Sequence, residues 1–68
     1  MTYRVILTES DGEARTVATS PRLDGARMFY GAVMLHAGER LTLTNPEGEA
    51  IATRLHGEAV RLPADHQA

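Results

Sequence analysis

Two stretches of this chain alternate in polarity on both sides of a turn signal, and they leave it little choice of fold. The first is "TYRVILTESDGEARTVATS" and the second "RLTLTNPEGEAIATRL". Alternation places successive side chains on opposite faces of a strand, and the β-branched residues suit a half-buried sheet. In the first, Asp11-Gly12 marks a two-residue type I′ hairpin turn. That loop sets Ile6 opposite Val17 and Val5 opposite Ala18. In the second, Asn45, Pro46 and Gly48 occupy the positions a type I turn prefers, and the Asn side chain can bond the backbone two residues on. Thr44 then faces Glu49, Leu43 faces Ala50 and Leu41 faces Ala52. Residues 45–48 read as a turn rather than an anion-binding nest, since Glu47 and Glu49 would repel an anion.

Between the hairpins lies one helix-length segment. Ser20-Pro21 is a start signal, and Gly38 is a plausible residue just past the end. On a helical wheel Leu23, Ala26, Phe29, Tyr30, Val33, Met34 and Ala37 form the main apolar stripe. Gly25 and Gly31 each weaken a helix by up to about 1 kcal/mol relative to Ala, which predicts close approach of another element. The fold class is therefore α+β: a ββαββ antiparallel four-stranded sheet with one helix packed on one face. Glu58–Leu62 can add a short fifth strand before Pro63. The reading is one domain over residues 1–62 and a flexible tail over 63–68.

One helix covers one face of a sheet. The helix side takes Tyr3, Val5, Leu7, Leu41 and Leu43, with Ala14, Thr16, Ala18, Ala50 and Ala52 beside them. The other face presents Ile6, Val17, Ile51 and Leu55 among threonines, with Arg4, Arg15 and Arg40. An apolar centre with an Arg and Thr rim resembles a modest protein interface. Met28 and Leu35, seven residues apart, form a second apolar patch on the back of the helix. The candidate interface residues are thus Arg4, Ile6, Arg15, Val17, Ile51, Met28 and Leu35.

Composition narrows the chemistry. The chain has 68 residues, a formal net charge of −2 and no Cys, so disulfides and thiolate zinc sites are excluded. A domain this small has a marginal core, and a second chain is a common remedy. There is no Lys, hence no amine for a Schiff base or a phosphate loop. His36, His56 and His66 lack the spacing of a helical metal pair, and no metal or cofactor is expected. Ser10 and Ser20 read as turn and cap residues, and the acids Glu9, Asp11 and Glu13 as a solvated hairpin tip. No catalytic residue is assigned. No apolar run approaches the length of a membrane span, and no signal-peptide core opens the chain, which predicts a cytoplasmic protein.

In order and length, "YRVILTESDGEARTVATS", one helix, then "RLTLTNPEGEAIATRL" resembles short bacterial and phage ββαββ proteins. Among these are uncharacterised small proteins and phage-encoded anti-CRISPR inhibitors, which bind a protein surface and do no chemistry. The resemblance is topological and transfers no functional residue. The expected function is a non-enzymatic interaction module, as a homodimer or as a binder of one protein partner. A weak nucleic-acid-binding module using Arg4, Arg15 and Arg40 is the first alternative. A small ligand-binding protein or enzyme with a site between subunits is the second.

Overall fold

The computed structural model describes residues 1–57. The elements run β1 (Tyr3–Thr8), β2 (Ala14–Ser20), α1 (Leu23–Ala32), β3 (Arg40–Thr44) and β4 (Ala50–Leu55). They form an antiparallel four-stranded sheet in the order β2-β1-β3-β4. The helix carries the chain from β2 across β1 to β3. It lies over β2, β1 and β3 and does not reach β4. The expected fifth strand, Glu58–Leu62, and the tail over 63–68 fall outside the described residues.

The core is small. Val5, Leu7, Ala26, Tyr30, Leu41 and Leu43 are buried, with Tyr3, Ala18, Leu23, Val33, Leu35 and Ala52 packed against them. Alternation along β1 and β3 sends Val5, Leu7, Leu41 and Leu43 to the helix side. The spacing of Leu23, Ala26 and Tyr30 turns one stripe of the helix down onto them.

Both hairpins close differently from the expected way at their tips. In each, a three-residue loop is closed by a glycine with positive φ: 94° at Gly12 and 87° at Gly48. Glu9 N–H donates to the Glu13 carbonyl, and Gly12 N–H to that of Glu9. Asn45 N–H and Gly48 N–H repeat the pattern with Glu49 and Asn45. The Asn45 carboxamide oxygen accepts from Glu47 N–H at 3.1 Å and Glu49 N–H at 2.9 Å, as the turn chemistry predicts.

The longer loops shift the register. In the first hairpin Ile6 faces Thr16, Leu7 faces Arg15 and Thr8 faces Ala14, whereas Val5 faces Ala18 as expected. A bulge between these pairs removes the residue that the loop added. In the second hairpin Thr44 faces Ala50, but a further bulge sets Leu43 opposite Ala52 and Leu41 opposite Arg54. The expected pairs Ile6 with Val17, Thr44 with Glu49, Leu43 with Ala50 and Leu41 with Ala52 are therefore corrected. Ala14, Thr16 and Ala50, assigned above to the helix side, move to the other face.

The helix is also shorter than its pattern predicts. It ends at Ala32, and Val33 is already extended with ψ 129°. Beyond it, Val33 and Leu35 are partly buried while Met34 and His36 are exposed, a period of two rather than 3.6. Met34 is 85 % exposed and Phe29 48 %, although the wheel put both on the core stripe. Gly38, expected just past the helix, sits instead in the turn His36–Glu39, where Glu39 N–H donates to the His36 carbonyl. Its φ of 85° is what the third position of a type II turn requires.

The helix start shows why Gly25 is glycine. Ser20 is buried, and its hydroxyl accepts from Arg22 N–H and donates to the Arg22 carbonyl. A Cβ at Gly25 would lie 2.5 Å from that hydroxyl oxygen. The close approach predicted at this position is there, though Ser20 caps no helical N–H and Arg22 holds the N-cap position.

Candidate interaction face

The sheet face away from the helix is built from cross-strand rows fixed by the register. Thr16, Ile6, Thr42 and Thr53 make the middle row. On one side of it lie Thr19, Arg4, Thr44 and Ala50, and on the other Ala14, Thr8, Arg40 and Leu55. The two bulges add to this face. Each sets two residues of an edge strand against one on its neighbour. Val17, between Thr16 opposite Ile6 and Ala18 opposite Val5, and Ile51, between Ala50 opposite Thr44 and Ala52 opposite Leu43, are the two extra residues. Neither of these aliphatic side chains packs against the core. Val17 and Ile51 are each 39 % exposed and Leu55 47 %, with Ile6 half-buried between the edges.

The charge on this face has one sign. The four strands contain no Asp or Glu; their charged residues are Arg4, Arg15, Arg40 and Arg54. Two of these are engaged on the helix side. Arg15 forms an ion pair with Glu9 at 2.7 Å. Arg54 is buried, donates through Nη2 to the Val33 carbonyl and lies 5.8 Å from the centroid of the Tyr30 ring. Arg4 and Arg40 are exposed on the open face. Tyr3 packs against the core, so the open-face rows carry no aromatic ring.

The expected interface residues are thus partly brought together. Arg4, Ile6, Val17 and Ile51 share the face. Arg15 does not: opposite Leu7, it belongs to the helix side at the hairpin tip, because the three-residue loop reverses that end of β2. Met28 and Leu35 do not form a common patch. Met28 is 74 % exposed on the helix back, but the helix ends before Leu35, which turns into the core.

Arg54 was not singled out from the sequence. The signal was available in its parity with Ala52, since alternation sends both to the helix side. There the guanidinium occupies the ground beside β3 that the helix leaves open. It takes up the carbonyl of the first extended residue after α1. A charge-assisted bond of this kind satisfies a group that a helix C-terminus otherwise leaves unpaired.

The remaining polar clusters are local. His36 N–H donates to Glu39 Oε1 at 2.7 Å, and His36 Nδ1 lies 3.4 Å from the same oxygen. The bond from the His36 backbone, helped by the nearby imidazole and Arg15, holds the Glu39 carboxyl below its ordinary value. Glu9, Asp11, Glu13 and Arg15 line an open depression at the first hairpin tip. Among the described residues no group of three or more His, Cys, Asp or Glu could hold a metal ion. No helix there is long and apolar enough to cross a membrane. No known protein family, curated protein or solved structure matches this chain.

Proposed function

We propose that this chain is a non-enzymatic protein-interaction module that works through its open sheet face. It acts as a homodimer or as an inhibitor or adaptor of one protein partner, the anti-CRISPR type of inhibitor being one such form. The observation that carries the reading is the pair of bulges. They leave Val17 and Ile51 exposed near the two edges, with Ile6 half-buried between them, and an apolar centre inside a polar rim is the composition of an interface. The same bulges lie on the two edge strands, where the added local twist disfavours strand addition. The proposed contact is therefore the face, rather than an edge.

The test is a photo-cross-linking residue placed at position 17 or 51, with position 28 on the helix back as the control. Protein adducts formed at 17 and 51 and abolished by Ile6→Arg, with the unfolding midpoint unchanged, are the expected result. A face that stays uncoupled at both positions in extracts of the producing cell, in a chain that sediments as a monomer, would end the proposal. A second reading, weak nucleic-acid binding, is favoured by the exposed Arg4 and Arg40. It predicts affinity that falls steeply with salt.

A further inference from the structure

Resting on that reading, we infer that the face takes an acidic protein surface, one that sets two carboxylates on either side of an aliphatic group, and not a second copy of this chain. The argument is the distribution of charge. The chain as a whole is acidic, with formal net charge −2, yet its strands hold no carboxylate at all. Of the four strand arginines, Arg15 has Glu9, and Arg54 has the Val33 carbonyl and the Tyr30 ring. Arg4 and Arg40 make no ion pair among the described residues, and both project from the open face.

Among the described residues the acids flanking the strands go elsewhere, Glu39 before Arg40 being held by the His36 N–H. Glu9 and Glu49 continue their strands on the helix side, one residue beyond Thr8 and Ala50, which point the other way. Asp11, Glu13 and Glu47 are confined to the hairpin tips. Stacking this face on its own copy would bring together two surfaces whose strand charges are all positive. Like charges facing each other suppress a pairing, and complementary potential favours one.

The register also fixes the pattern a partner must match. Arg4 stands four residues from Thr8 along β1, and Arg40 stands one strand over from Thr8. At about 3.4 Å per residue and about 4.8 Å per strand, the two Cα atoms are roughly 14 Å apart. Ile6 lies between them on β1. An extended segment with Glu at positions i and i+4 and aliphatic residues between spans the same distance, so its carboxylates reach both guanidinium groups while its apolar middle meets Ile6.

The experiment is an NMR titration of the isotopically labelled chain with three probes: a peptide containing Glu-Val-Leu-Val-Glu, its Lys-Val-Leu-Val-Lys counterpart, and single-stranded DNA. The acidic peptide should shift the amides around Arg4, Ile6, Thr42 and Thr53. It should bind at least tenfold more tightly than the basic one, with about a fivefold loss for each of Arg4→Gln and Arg40→Gln. Equal response to both peptides on the open face overturns the charge inference but leaves the interaction face standing. Shifts confined to the helix side or to the tips overturn both. Tighter binding of DNA than of the acidic peptide, or concentration-dependent shifts of the same residues in the chain alone, identifies nucleic acid or self-association instead and overturns the inference.

Discussion

Gly25→Ala tests how tightly the helix start is fitted to the end of β2. Gly25 is not at positive φ, so alanine meets no backbone penalty there. In an unencumbered helix the change would gain up to about 1 kcal/mol. Here the new Cβ would stand 2.5 Å from the Ser20 hydroxyl oxygen and 3.4 Å from the Ser20 Cβ. The second contact is tolerable and the first is not. The hydroxyl cannot swing away freely, because it holds both the N–H and the carbonyl of Arg22. Overpacking of this kind costs about 1–3 kcal/mol, so Gly25→Ala alone should destabilise by about 1 kcal/mol after the helix gain. Ser20→Ala alone gives up the two bonds to Arg22 and should cost about 1–2 kcal/mol. The double variant loses those bonds but removes the clash and keeps the helix gain. It should therefore be more stable than the two single effects combined by about 2 kcal/mol, which is the clash itself. Urea unfolding followed by circular dichroism measures all four proteins, and at this size 1 kcal/mol moves the thermal midpoint by about 4–8 °C. Additive single effects, or a Gly25→Ala chain more stable than the parent, would refute the reasoning.

Arg54→Met keeps the bulk against Tyr30 but leaves the Val33 carbonyl without its charged donor, and should cost about 1.5–3 kcal/mol in the same unfolding assay. Arg54→Lys should recover little of it, because an ammonium cannot both stack on the ring and reach the carbonyl as a planar guanidinium does. Leu35→Glu should destabilise by more than about 2 kcal/mol, as a charge forced against the core, whereas Met28→Glu should stay within about 0.5 kcal/mol; equal effects would return Leu35 to the surface. Glu39 has a folded-state pKa below its ordinary 4.5. Its contribution is therefore complete above that value and is lost as pH falls through the lower folded value. Midpoints measured from about pH 6 to about pH 3 should fall less steeply in Glu39→Gln than in the parent.

The strands were legible because alternation and turn residues are local properties. The register was not, and the reason lies in Asp11. A two-residue type I′ loop needs positive φ at both Asp11 and Gly12. A three-residue loop needs it at Gly12 alone, and no residue other than glycine has positive φ among those described. In the second loop Pro46 is held at negative φ by its ring, so Gly48 again supplies the only left-handed position. Asp-Gly satisfies both loop types, and nothing in its neighbours decides between them. The difference of one residue changes which face every side chain near the tip occupies. It took Arg15 off the open face and brought Thr16 onto it.

The end of the helix failed for a different reason. "VMLHA" suits a wheel and a strand equally well over so few residues. What separates the two readings is the ground beyond the helix, where β4 presents Ala52 and Arg54 to a region that α1 does not reach. An extended segment can put both Val33 and Leu35 there and still bring Arg40 beside Thr8 to begin β3. A continuing helix would have turned Leu35 outward and left the Arg54 side chain over Tyr30 with no carbonyl to meet. The arginine and the early end of the helix thus depend on one another across 21 positions of sequence, a coupling that no local pattern can reveal. The open face was easier to read because its content follows from a simpler property. Strands without a single acid must leave an arginine wherever neither a hairpin tip nor the helix end can reach it, and Arg4 and Arg40 are the two so placed.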